Sequence, residues 1–190
     1  VLQVHGLGRS FAGRWVFRGL SFNLHEGECL VLSGPNGSGK STLVKILARL
    51  LAPTEGGLAG PPAEATGLFA LDQSPYPQLT VREHLELFAA LRQVDPQPED
   101  WAGQVGLSPS LDRPASELST GTRARLKLLL ATLHRPRLLL LDEPSASLDD
   151  LGRTVVGMLL RSHLKDGAAV LATNDPRDLE FATHRLAFDA

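Results

Sequence analysis

The sequence predicts an α/β fold: a parallel sheet flanked by helices, preceded by a small antiparallel β subdomain and interrupted by a helical excursion. Three observations carry this. The run CLVLS is short, apolar and non-alternating, as a strand covered on both faces must be, and it leads through glycines into the helix-like LVKILARL. The last third alternates helix-period and strand-like segments: RARLKLLLATL, LLLLD, LGRTVVGMLLRSHL and AAVLA. Between these regions, residues 93–115 are broken by prolines at 96, 98, 109 and 114, which marks an excursion from the core.

Taken in order, residues 1–32 read as short strands with tight turns. Leu2, Val4 and Leu7 alternate loosely, Val16–Phe17 and Leu20, Phe22 and Leu24 follow, and Glu26-Gly27-Glu28 turns the chain into Cys29. A helix is predicted over 41–52, apolar at Leu43, Ile46, Leu47 and Leu50 and stopped by Pro53. Residues 53–66, rich in glycine and proline, read mostly as loop, and GLFALD as a second core strand. TVREHLELFAALR, residues 80–92, is a capped amphipathic helix. Thr80 and Glu83 form the capping pair, and Val81, Leu85, Phe88 and Leu91 share a face. A short helical piece, WAGQVGL, follows. Then come a helix over 122–133, a strand over 138–141, a helix over 150–164, a strand over 168–171 and a short helix from Pro176. The division is one domain, 1–190, with a β part at 1–28, a core at 29–74 and 122–190, and a helical part at 75–121.

A length of 190 residues suits one such core with minor subdomains. A hydrophobic share of 43% with 21% charged residues suits a soluble globular chain. The formal net charge of −2 gives no electrostatic reason for a nucleic-acid partner, and none is expected. The single cysteine, Cys29, lies in an apolar run and reads as a buried core thiol. The most apolar stretch, LKLLLATLHRPRLLLLD, is interrupted by His134, Arg135, Pro136 and Arg137, so no membrane span is predicted. No basic segment leads into an apolar core at the start, so no secretory leader is expected.

The stretch GPNGSGKST meets the pattern G-x-x-x-x-G-K-[ST] at Gly34, Gly39, Lys40 and Ser41, and lies directly between a predicted buried strand and a helix. Its glycines let successive backbone N–H groups face a phosphate, and the helix N-terminus adds positive potential. Lys40 supplies a cation, and the Ser41 hydroxyl can ligate Mg²⁺. Phosphoryl chemistry also needs a metal-holding carboxylate and a group to polarise water. LLLLDEP offers both. Asp142 ends the four-leucine strand on the same sheet edge and would hold Mg²⁺ through water, while Glu143 would polarise the attacking water.

Four motifs in order, GPNGSGKST, the glutamine of LDQSPYPQLTVREHL, LSTGT, and LLLLDEP running into SASLDD, identify a resemblance. Over essentially its full length the chain resembles the nucleotide-binding subunit of ATP-binding-cassette (ABC) proteins. The resemblance implies a P-loop NTPase core that binds ATP and Mg²⁺, with nucleotide sandwiched between two cassettes packed head to tail. Asn36, Gly37 and Thr42 complete the phosphate loop. Phe11 resembles the aromatic that stacks on adenine, and Gln73 the glutamine that contacts Mg²⁺ and water. Ser119 and Gly121 of LSTGT would reach the other cassette's γ-phosphate. Asp149 resembles the aspartate of the loop that crosses the dimer interface.

The chain departs from the family pattern in two places. The signature usually reads L-S-G-G-Q, and here Thr120 and Thr122 replace its first glycine and its glutamine. In VLATND, Asn174 stands where a histidine normally touches the γ-phosphate, while Asp175 matches the family's aspartate. Asparagine donates a hydrogen bond but carries no charge and relays no proton. ATP binding is therefore expected intact and hydrolysis slow, with Glu143 retained. His184 lies beyond the piece DLEFAT and does not substitute, and His5, His25, His84, His134 and His163 are not grouped at metal-ligand spacing.

The resemblance implies an ATPase driving transport through separate transmembrane subunits, with the chain peripheral on the cytoplasmic membrane face. SPYPQLTVREHLELFAALR resembles the region of exporter-type cassettes that receives a short helix from the membrane subunit, with Tyr76, Leu79, Val81 and Leu85 as contacts. Compact haem-exporter cassettes are similar in size. The alternatives are a non-transport cassette ATPase of the iron–sulfur assembly type, and an ATP-binding regulatory subunit with little hydrolysis. Asn174 raises the latter and Glu143 opposes it.

Overall fold

The computed structural model describes residues 1–70 and 72–188. Strands β1 (Leu2–Phe11) and β2 (Arg14–Leu24) form one long hairpin rather than several short strands. Register shifts between Val4 and Leu7, and again before Ser10, interrupt the alternation and fragment the sequence signal. Its two-residue turn uses Ala12 at φ 47° and Gly13 at φ 80°, the left-handed pair that matches strand twist. Strand β3 (Cys29–Ser33) and helix α1 (Lys40–Leu47) flank the phosphate loop. The helix stops short of residue 52. Arg49 turns out of it at φ 63°, and Leu50, expected on the buried face, is 66% exposed.

Strand β4 (Glu55–Ala59) occupies part of the stretch expected to be loop and pairs antiparallel with β1. Its glycines suggest loop, yet they are what the pairing needs: a Cβ at Gly56 would lie 2.3 Å from the Gly6 carbonyl oxygen. β4 thus closes a β2-β1-β4 sheet, although it falls within the 29–74 stretch assigned to the core.

Strand β5 (Thr66–Phe69) comes from GLFALD, whose Leu71 lies outside the described residues. Helix α2 (Val81–Arg92) starts as its spacing predicts. Thr80 Oγ1 accepts from the Glu83 N–H at 3.1 Å, and Glu83 Oε2 accepts from the Thr80 N–H at 2.7 Å. Its buried stripe is Val81, His84, Leu85 and Ala89, with Phe88 partly buried beside them. Leu91, expected on that face, is 67% exposed because the stripe runs through 85 and 89. Helices α3 (Pro98–Gln104) and α4 (Thr120–Thr132), strand β6 (Leu138–Asp142), helix α5 (Asp150–His163) and strand β7 (Ala168–Ala172) follow. The segment Pro176–Phe181 is a 3₁₀ turn, and strand β8 (His184–Ala187), which the sequence did not suggest, is the last strand among the described residues.

The parallel sheet runs β5-β6-β7-β3-β8. Successive residues of its central strands feed two apolar layers. Val31, Leu139, Leu141, Ala169 and Leu171 pack toward α2, α4 and α5, while Leu30, Leu32, Leu138, Leu140 and Val170 pack toward α1 and the hairpin. Covered on both faces, these strands are the uninterrupted apolar runs of the sequence. β8 is an edge strand with no fully buried position, so it carries no such run. Cys29 is wholly buried, and burial pushes its thiol up to about 12. Among the described residues, no helix is long and apolar enough to cross a membrane.

Candidate nucleotide site

The phosphate loop leaves β3 at the C-terminal edge of the parallel sheet, where β6 and β7 also end. Two of its glycines are dictated by crowding. Gly34, at φ 143°, would place a Cβ 2.3 Å from the Phe188 carbonyl oxygen, and Gly39, at φ 109°, would place one 2.5 Å from Val16 Cγ1. The wall behind the loop is therefore built by β2 and by Phe188 after β8. Gly37, also at positive φ, meets nothing, so its Cβ position is open. Thr42 is half-buried in the first turn of α1.

Lys40 is 5% exposed, and its ammonium is held tightly in the free chain. It donates to the carbonyls of Gly34 (2.7 Å) and Pro35 (3.0 Å) and to Asn174 Oδ1 (3.0 Å), and Glu143 Oε1 lies 3.6 Å away. Asn174 returns two further contacts. Its backbone N–H donates to Glu143 Oε2 at 3.1 Å, and its amide Nδ2 donates to Asn36 Oδ1. The Ser41 hydroxyl donates to Asp142 Oδ1 at 3.0 Å. Burial pushes the Asp142 carboxyl up, and the Ser41 hydrogen bond opposes that. Lys40, Ser41, Asn36, Asp142, Glu143 and Asn174 thus converge from three separate stretches of the chain.

The donor set suits a phosphate with a hard cation. The buried Ser38 hydroxyl has no hydrogen-bond partner among the described residues, beside a loop of N–H groups and an ammonium. Asp142 is a buried carboxylate beside a hydroxyl, the sparse oxygen pair that Mg²⁺ accepts when water and phosphate fill its other positions. No cluster of three or more His, Cys, Asp or Glu residues able to hold a metal occurs among the described residues, so the pair is no all-protein cage.

The other predicted residues stand apart from this cluster. Phe11 sits at the hairpin tip, 46% exposed, with the Arg9 guanidinium 4.3 Å over its ring. Gln73 is turned onto its own loop, where Oε1 accepts from the Ala70 N–H at 3.1 Å. Ser119 caps α4, accepting from the Thr122 N–H at 3.2 Å. Gly121 faces Asp149: a Cβ there would lie 2.9 Å from Asp149 Oδ2, while Asp149 Oδ1 accepts the Gly152 N–H at 2.7 Å and caps α5. The signature loop and the Asp149 loop are therefore neighbours within one chain. Sequence reasoning missed Val16 and Phe188 as walls of the phosphate loop, and no local pattern marks either.

Leu68, Gln73, Tyr76, His84, Phe88 and Lys127 line a cleft of ≈ 280 Å³ between the sheet and α2. Of the four contacts expected here, Val81 and Leu85 are fully buried in the core and present nothing to a partner, because α2 turns that face inward. Tyr76, at 59% exposure, and the half-buried Leu79 remain accessible.

Residues 17–146 match the family model described as ABC transporter. The chain is 37% identical over its whole length to the cytochrome c biogenesis ATP-binding export protein CcmA 2 of Cupriavidus metallidurans, spanning 97% of that protein. It is 33% identical, over 98% of its length, to the uncharacterized ABC transporter ATP-binding protein YdbJ of Bacillus subtilis, and spans 62% of that longer protein. Its fold superposes on a solved ATP-binding subunit of an ABC transporter with a TM-score of 0.89 at 23% identity, covering 98% of this chain and 85% of that one. The chain belongs to the ABC transporter family and has the P-loop NTPase fold of its ATPases. Within that family it is an ATP-binding and ATP-hydrolysing subunit of a transport system.

Proposed function

We propose that two cassettes close head to tail around ATP and that the chain hydrolyses it slowly, driving separate transmembrane subunits. The observation that carries this reading is the convergence of Lys40, Ser41, Asp142, Glu143 and Asn174 at one sheet edge. Lys40 and the backbone N–H groups of residues 36–42 bind the phosphates, and Phe11 stacks on the adenine. Ser41, Gln73 and, through water, Asp142 would hold Mg²⁺. That ion, when bound, neutralises charge developing on the phosphate oxygens. Glu143 orients and polarises the attacking water. Ser119 and Gly121 are supplied by the opposing cassette, and the Asp149 beside Gly121 brings the crossing loop to the same place. Tyr76 and Leu79 receive the membrane subunit, which puts the chain on the cytoplasmic membrane face.

Asn174 sets the rate. It reaches Lys40 and Asn36 as a neutral amide, so it can hydrogen-bond a phosphate oxygen without contributing charge. Replacing it by histidine, N174H, restores a group that can carry a proton and a charge. The expected result is a rise in kcat of roughly tenfold or more with the affinity for ATP little changed. Steady-state turnover with an ATP titration checks this, and an N174H chain no faster than the parent overturns the rate-limiting role of Asn174.

A further inference from the structure

Among the described residues, the nucleotide site leaves one buried carboxylate unused. Asp178 lies in the 3₁₀ turn after the Asn174 loop and is 5% exposed. Its oxygens accept from hydroxyls on two different loops. The Ser145 hydroxyl, two residues after Glu143, lies 2.8 Å from Oδ1 and 3.1 Å from Oδ2. The Thr173 hydroxyl, immediately before Asn174, donates to Oδ2 at 2.5 Å. Thr173 Oγ1 in turn accepts the Asp175 N–H at 2.9 Å, which fixes the turn that carries Asn174.

We propose that Asp178 is a positioning residue that clasps the Glu143 loop to the Asn174 loop, so that the two move as one unit when nucleotide binds. This rests on the reading of Glu143 and Asn174 as hydrolytic residues. The physical reason is that a carboxylate removed from water must keep its hydrogen bonds, and charge-assisted ones are the strongest available. Separating the two loops would strip the buried Asp178 of one hydroxyl, so displacement of either loop drags the other. The clasp complements the direct contact between the Asn174 N–H and Glu143 Oε2, and the backbone bond from the Glu143 N–H to the Ala172 carbonyl at 2.8 Å. The loop it grips runs on to Asp149 beside Gly121, so a shift at the phosphate end reaches the signature. The charge of Asp178 also adds to the upward shift of the Cys29 thiol, of which burial is the main cause, as expected of a carboxylate set into the core edge.

The test compares the parent chain with S145A, S145T, D178A and E143Q by amide hydrogen exchange, thermal melting and ATP turnover. S145A removes one small hydroxyl from a partly buried site, so it should fold, with a melting temperature lowered by several degrees. Its expected effect is faster exchange at residues 173–178 as well as at 143–149, with kcat lower by about tenfold, KM unchanged, and both restored in S145T. In a D178A background, S145A should add nothing further. Exchange that changes only around residue 145, or S145A and D178A effects that simply add, overturns the clasp. The exchange readout decides this whether or not D178A folds and whatever the turnover of the isolated chain. An E143Q chain that turns over like the parent overturns the reading of Glu143 instead. An inactive E143Q beside an S145A with parental exchange and rate overturns the clasp alone.

Discussion

The E143Q chain is expected to bind ATP like the parent and to lose turnover by about 10²- to 10⁴-fold, the range for removal of a positioned general base. The structure explains why one atom matters. Glu143 sits at φ 50°, a left-handed conformation that costs a non-glycine residue about 1 kcal/mol or more. That backbone is held by the Glu143 N–H on Ala172 and aims the side chain at Lys40 and the Asn174 N–H. Glutamine keeps the shape and an oxygen for the Asn174 N–H. It loses the negative charge that polarises water, and its NH₂ faces the Lys40 ammonium. ATP turnover beside a nucleotide titration checks the expectation. Equal loss of affinity and turnover would show that Glu143 serves binding rather than the hydrolytic step.

The second large effect belongs to Lys40. Its ammonium is nearly buried and already has three acceptors in the free chain, two of them backbone carbonyls of the loop it serves. It is thus poised before phosphate arrives, and little side-chain freedom remains to be lost on binding. Removing it in K40A takes away a charge-assisted contact worth about 1.5–3 kcal/mol, or roughly 10- to 100-fold in ATP affinity. It also leaves Glu143, with its side chain 18% exposed, lacking its nearest cation, so turnover should fall further than affinity. Calorimetric titration of K40A with ATP checks the first part, and parental affinity would refute it.

Much of the site could be read from residue order because the chemistry is carried by local motifs. A strand, a glycine loop and a helix place Lys40 and Ser41 without any knowledge of distant residues. A leucine strand ending at Asp142 brings Asp142 and Glu143 to the same sheet edge, since β6 and β3 both run parallel to β7, which lies between them. The elements that escaped prediction are those specified by contacts far along the chain. β4 exists because Gly56 lets it approach β1, so its glycines mean close packing where sequence alone suggests a turn. β8 is held by backbone bonds to β3 and carries no apolar pattern of its own. The roles of Val16 and Phe188 against the phosphate loop, and of Asp178 between two loops, depend on tertiary contacts that no spacing encodes. The face of α2 was misjudged at Leu91, and Val81 and Leu85 proved too deep to meet a partner, because an apolar stripe does not reveal which side another element covers.

Each proposed site needs a second cassette to complete it: Gly121 faces Asp149 in the signature region, whereas Lys40, Asp142 and Glu143 gather at the phosphate loop. ATP turnover of the purified chain across a wide range of protein concentrations, with E143Q as the baseline, tests it most directly. Specific activity that climbs with concentration and levels off as the chain pairs with itself is the predicted result. Specific activity above the E143Q baseline that is constant down to the most dilute sample would contradict it, because each chain would then hydrolyse ATP alone.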